Sequence, residues 1–160
     1  GPTVIVDYAH KPDALEKLLH AVRDLARGRR VVVIVGCGGD RDKDKRGKMG
    51  AIAARLADRV VLTSDNPRSE KPEAILDGIE AGMKGASNYE RVTDRREAIA
   101  RTIAGASDND VIVIAGKGHE SYQVIGDQVI HFDDREEAER ALQKQPKTRH
   151  KNEAVKSISN

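Results

Sequence analysis

Four polar clusters hold the residue types that can do chemistry. In Asp65-Asn66-Pro67-Arg68, Arg68 offers a planar fork of donors that matches a carboxylate in a bidentate way. Asn66 can donate and accept, and Pro67 stiffens the loop. The same stretch would also serve as the entry loop of a helix, with Asp65 or Ser69 as its cap. In Gly36-Cys37-Gly38-Gly39-Asp40-Arg41, glycines permit close backbone approach, and their amides can face an anion beside Arg41. Gly116-Lys117-Gly118-His119-Glu120 puts a cation, an imidazole and a carboxylate within four residues. Glu120 can accept from an ammonium group. The fourth cluster, Asp7-Tyr8-Ala9-His10-Lys11-Pro12, offers Asp7 and His10 to a nucleotide ribose or base, or merely to the start of a helix.

Arginine forks, an amide, a carboxylate and glycine-rich backbone suit a zwitterion with separate carboxylate and ammonium groups. They suit bond cleavage less well. Neither Cys37 nor Ser64 has a base in a recognisable motif, so no residue is assigned as catalytic. No Cys/His spacing indicates a metal site. The glycines do not form a G-x-G-x-x-G fingerprint, and no G-x-x-x-x-G-K-[ST] loop occurs in the sequence.

The elements that must position these clusters alternate. Apolar or β-branched runs at 3–6, 31–35, 59–63 and 111–115 predict strands. Helical periods span 12–25, 45–56, 72–83 and 95–103. A short strand is expected at 91–93. Segments 122–125 and 128–132, joined by Gly126-Asp127, read as a hairpin. Asp133 or Asp134 can cap a last helix running to 142. The pattern predicts a Rossmann-like α/β fold: a mostly parallel sheet, helices on both faces, and an antiparallel edge hairpin near the C-terminus. Each cluster follows directly on an apolar run, so all four belong at the carboxyl rim, where such folds bind ligands.

Composition agrees. The 160 residues suit one domain, and with 38% hydrophobic, 2% aromatic and no Trp the core must be Val, Ile, Leu and Ala. Residues 143–160 hold Lys144, Lys147, Arg149, Lys151 and Lys156 against Glu153. This basic tail carries +4 of a net +2, leaving −2 on residues 1–142. An acidic body argues against nucleic acid as a partner, and the tail is expected to be disordered. The charge run at 42–48 reads as a solvated loop. A single cysteine, Cys37, fits a reducing cytoplasm, and no apolar run is long enough for a membrane span.

In order, Asp-Tyr-Ala-His-x-Pro-Asp-Ala-Leu from Asp7, Gly-Cys-Gly-Gly-Asp-Arg-Asp from Gly36, Asp-Asn-Pro-Arg from Asp65 and Gly-Lys-Gly-His-Glu-x-Tyr-Gln from Gly116 resemble the C-terminal domain of the peptidoglycan Mur ligases. Within that family they resemble the branch that adds meso-diaminopimelate. The resemblance covers about residues 3–142. It implies a part of an ATP-dependent enzyme that activates the carboxylate of a UDP-MurNAc-dipeptide and joins it to an amino acid. It implies that Asp65, Asn66, Pro67, Arg68 and Arg41 serve the carboxylates of meso-diaminopimelate, that Gly116 and Glu120 hold its distal ammonium, and that Asp7 and His10 approach ATP. ATP and Mg2+ would bind through other domains, so this chain alone is expected to be inactive and to bind neither tightly. The run Asp44-Lys45-Arg46-Gly47-Lys48 departs from the family, which has Gly before Lys-Arg and Pro after. The alternative is a stand-alone nucleotide- or amino-acid-binding module without ligase activity.

Overall fold

β-Branched runs flanked by amphipathic helices can satisfy their backbone only by pairing with one another, and here they do so in parallel. A computed structural model describes residues 1–145 and 155–158. The elements are β1 (Thr3–Asp7), α1 (Pro12–Ala26), β2 (Val31–Val35), α2 (Asp44–Leu56), β3 (Arg59–Leu62), α3 (Pro72–Glu80), β4 (Tyr89–Arg91), α4 (Arg95–Ala104), β5 (Val111–Ala115), β6 (Tyr122–Ile125), β7 (Gln128–His131), α5 (Asp134–Gln143) and β8 (Val155–Ser157).

The main sheet has the order β4-β3-β2-β5-β1-β8, and all its pairs are parallel. β2 and β5 are buried at every position, as central strands covered on both faces must be. Alternate residues serve opposite layers. Ile5, Val33, Leu62 and Val113 pack with α1, α2 and α3, whereas Val4, Ile34, Val61 and Ile112 pack with α4, α5 and Phe132. From β2 the chain advances through β3 to β4, then returns to lay β5 on the other side of β2. That reversal makes the carboxyl ends of β2 and β5 the topological switch point.

Three expectations need correction. The hairpin forms, with Tyr122 opposite His131, but β6 and β7 make a separate two-stranded sheet and do not extend the main one. The edge beside β1 is taken by β8, in parallel. Disorder beyond 142 therefore fails at Val155–Ser157, and α5 itself runs to Gln143. The rest of the expected tail, 146–154 and 159–160, lies outside the described residues. The expected strand at 91–93 sits slightly earlier, as Tyr89–Arg91.

Charge is buried beneath the rim. Arg95 is fully enclosed, and its Nε and Nη2 each donate to one carboxylate oxygen of Asp134 at 2.7 Å. Its Nη1 donates to the Ser64 carbonyl at 2.9 Å and its Nη2 reaches the Ala115 carbonyl at 3.4 Å. One guanidinium thus ties the starts of α4 and α5 to the chain leaving β3 and β5. The cap of α5 is Asp133, which accepts from the amides of Arg135 and Glu136. Asp134 is thereby left to the ion pair.

Removing one member of a buried pair costs about 3–5 kcal/mol, because the other is left uncompensated. Arg95→Met is therefore expected to lose about that much in urea unfolding. Arg95→Met with Asp134→Leu should lose less than the single variant. A single variant within about 1 kcal/mol of wild type would show that the pair does not hold the rim.

Candidate functional site

The four clusters follow β1, β2, β3 and β5, which are neighbours in the sheet and run the same way, so they meet at one rim. The loop after β2 lies directly on the loop after β3. Gly39 N–H donates to the Asn66 carbonyl at 2.8 Å, and a side chain at 39 would collide with the Pro67 carbonyl. The glycines here admit a neighbouring loop, so the Gly39 amide is occupied within the protein and does not offer itself to an anion. Asp40 accepts from the Ser69 amide and hydroxyl, and Glu70 accepts the Asp40 amide at 2.6 Å.

Arg46 closes this clamp from below. Only 3% exposed, it forks onto both oxygens of Glu70 at 3.1 and 2.8 Å and also reaches the Gly38 carbonyl. The charge run at 42–48 is thus not wholly solvated: its one buried arginine is structural. Those hydrogen bonds from Arg46, followed by that from Asp40, hold the Glu70 carboxyl down to about 2.

The hairpin docks on the Asn66–Arg68 segment. Arg68 N–H donates to the Val124 carbonyl at 3.0 Å, and the Arg68 carbonyl accepts from Gly126 N–H at 2.7 Å. Val124 N–H donates to Asn66 Oδ1 at 3.0 Å, and Gln123 Nε2 to the Asp65 carbonyl at 2.7 Å. This bridge holds Arg68 at φ 53, a left-handed conformation that costs a non-glycine residue about 1–2 kcal/mol. Its Nη1 is spent on the Gly39 carbonyl at 3.0 Å. The Nε–Nη2 edge has no protein acceptor among the described residues, so the fork is oriented and still available. A side chain at 38 would meet Arg68 Nη1 at 2.7 Å and Arg41 Cγ at 3.6 Å, which places the two arginines side by side. Arg41 is exposed and, among the described residues, donates only to the neighbouring Asp40 carbonyl.

Of the remaining candidates, Asp65 points inward. Burial pushes its carboxyl up, against the pull of Arg95 and Lys117. Gly116 packs against it: at φ 117, a Cβ there would stand 2.8 Å from Asp65 Oδ2. Pro67 is buried between the loops. Glu120 is partly exposed, with Oε1 3.3 Å from Lys117 Nζ. Asp7 and His10 stand at the adjoining end of β1, where the Asp7 carbonyl accepts from Gly116 N–H at 3.0 Å. They line a cavity of about 420 Å³ with Tyr8, Lys17 and Ile158. Asp7 Oδ2 accepts from Ala9 N–H, while among the described residues buried Oδ1 has no partner, and burial raises this carboxyl.

The site therefore has a cationic lobe, Arg41 and Arg68, an anionic one, Glu120, and Asn66 between them. Sequence reasoning missed three buried charges beneath it. Lys117 was visible as a cation but given no role, Arg95 read as a helical residue, and Asp134 read as a possible cap.

A family model described as the Mur ligase, glutamate ligase domain, matches residues 1–118. The chain belongs to the Mur ligase family. It is 58% identical over 141 residues to the UDP-N-acetylmuramoyl-L-alanyl-D-glutamate--2,6-diaminopimelate ligase of Parasynechococcus marenigrum, covering 88% of this chain and 28% of that protein. The ligase of the same name from Bacillus cereus is 56% identical over 140 residues, with the same coverages. A solved structure of a ligase of that name superposes with a TM-score of 0.82 at 42% identity, over 91% of this chain and 30% of that one. This Mur ligase chain spans less than a third of the length of these relatives.

The Arg46–Glu70 clamp gives a pH signature. The folded carboxyl titrates near 2 against an ordinary 4.5, so its contribution is complete above about 4.5 and is lost as pH falls towards 2. In thermal melts, Glu70→Gln should lie below wild type at pH 7, and the gap should close across that acid window. A gap that stays constant from pH 7 to pH 2 would remove the clamp from the site's stability.

Proposed function

We propose that this domain is the acceptor-substrate domain of an ATP-dependent acid–amino-acid ligase of peptidoglycan synthesis, and that its amino acid is meso-diaminopimelate. The observation that carries this reading is the pre-oriented, unoccupied edge of Arg68 beside Arg41, with Glu120 across Asn66. A distal carboxylate satisfies the arginine edge in a bidentate way. The distal ammonium meets Glu120 and the Gly116 backbone. The other amino group is then free to attack the activated carboxylate of a UDP-MurNAc-dipeptide. Lysine, lacking the distal carboxylate, leaves the guanidinium edge unpaired. The names of the similar ligases support the same substrate.

In such a reaction ATP supplies the phosphoryl group that converts the dipeptide carboxylate into an acyl phosphate. The residues present fit a nucleotide only at its edge. The unpartnered Asp7 Oδ1 and His10, in the wall of the cavity, offer an acceptor and an imidazole to a ribose or base. Among the described residues no group of three His, Cys, Asp or Glu side chains could hold a metal ion, and we assign Mg2+ to the rest of the ligase. Among the described residues no helix is long and apolar enough to cross a membrane, and we place the ligase in the cytoplasm, where its nucleotide substrates are made. We assign residues 1–143 and the strand Val155–Ser157 to one domain.

Calorimetric titration tests the assignment. The chain should bind meso-diaminopimelate more tightly than L-lysine. Arg68→Ala should weaken the former by roughly 10- to 100-fold, the equivalent of about 1.5–3 kcal/mol for a charged hydrogen bond. In the complete ligase the same substitution should raise KM for the amino acid. Preference for L-lysine, or tight NAD binding in place of either amino acid, would overturn the proposal.

A further inference from the structure

Lys117 is a fully buried cation in the middle of the site. Its Nζ donates to the Tyr122 carbonyl at 2.5 Å, to Asn66 Oδ1 at 3.3 Å and to Glu120 Oε1 at 3.3 Å. Three acceptors use its three protons. An ammonium cannot accept, and neither can the Val124 N–H that faces the same atom of Asn66. The atom between them must therefore be the amide oxygen. The Asn66 Nδ2 then turns away from both donors, and among the described residues it has no protein acceptor.

We propose that Lys117 is a positioning residue that locks the buried Asn66 amide with Nδ2 turned away from it, making Asn66 a dedicated donor to a carboxylate of the amino-acid ligand. This rests on the acceptor-domain reading above and deepens it. A free asparagine serves either end of a zwitterion, because it can rotate to present oxygen or nitrogen. Locked, it repels an ammonium and joins Arg68 in receiving oxygen. Lys117 also engages one oxygen of Glu120, leaving Oε2 as the acceptor for an ammonium. One buried cation thereby gives the site its polarity: carboxylate towards Asn66 and Arg68, ammonium towards Glu120.

The test uses the 15N-labelled chain and the Asn66 side-chain NH2 peaks, assigned by their loss in Asn66→Asp. In Lys117→Met these peaks should move towards free-amide positions, and affinity for meso-diaminopimelate should fall about tenfold, the loss of one fixed hydrogen bond. Lys117→Gln, which keeps a neutral donor for Asn66 Oδ1, should return the peaks towards wild type and recover most of the affinity. If Lys117→Met does not fold, Lys117→Gln is compared with wild type by the same spectrum, and Asn66 peaks displaced less than those of an exposed asparagine support the lock. Unchanged Asn66 peaks in folded Lys117→Met, Asn66 peaks at exposed-asparagine positions in Lys117→Gln where that variant stands in, or affinity that follows melting temperature alone across the two variants, overturn it. Absence of meso-diaminopimelate binding by wild type counts against the acceptor-domain reading, whereas the ligand-free peaks still decide the role of Lys117.

Discussion

Burying charge beneath a ligand-binding rim is the constraint on which the rest of this structure depends. Arg95, Asp134 and Lys117 all lie at or near zero exposure, where an unpaired ion costs several kcal/mol. Each must therefore be answered by a partner, and the partners come from different loops. Arg95 is answered by Asp134 of α5 and by the carbonyls of Ser64 and Ala115. Lys117 is answered by Asn66, Glu120 and the start of β6. Satisfying the ions and fixing the loops are the same event. Burial costs Arg95 some of its preference for the charged form, but Asp134 more than offsets this, and its pKa ends above the ordinary value.

The same constraint explains where the hairpin goes. The sequence pattern of two short β segments around Gly126-Asp127 shows that a hairpin exists, but not what it pairs with. An edge of the main sheet is the natural expectation for unpaired strand backbone. Instead β6 uses its backbone and Gln123 on Asp65, Asn66 and Arg68. Those loop groups have no sheet partners of their own and would otherwise be buried unpaired. The β-branched periods were enough to read the parallel core, because strands buried on both faces leave a continuous apolar run. β8 could not be read that way: Val155-Lys156-Ser157 is too short and too polar.

Legibility within the site divides along similar lines. Clustering at one rim could be read from the order of apolar runs and polar motifs alone. Side-chain direction could not. Asp65, Asn66 and Pro67 are buried, whereas Arg68 in the same tetrapeptide is half-buried and keeps a free edge. Arg46 sits in a run of charges that looks solvated, and only the distant Glu70 and the Gly38 carbonyl give it a reason to be buried. Arg95 and Asp134 are 39 positions apart. No local period or spacing connects such pairs, because only the tertiary fold brings them together.

A motif of this kind therefore joins two different jobs. Asp65, Pro67, Gly39 and Gly116 make the close approach of loops possible, and they would be required whatever the site received. Arg68, Arg41 and Glu120 keep capacity unspent after all internal bonds are made. Asn66 belongs to both groups, since its oxygen is consumed by the scaffold and its nitrogen is left over. On the proposed function, ligand choice is carried by what remains after the scaffold is satisfied. The residual set is two guanidinium groups and an amide donor on one side of a single carboxylate oxygen. That asymmetry favours a ligand end bearing both a carboxylate and an ammonium over an end bearing the ammonium alone.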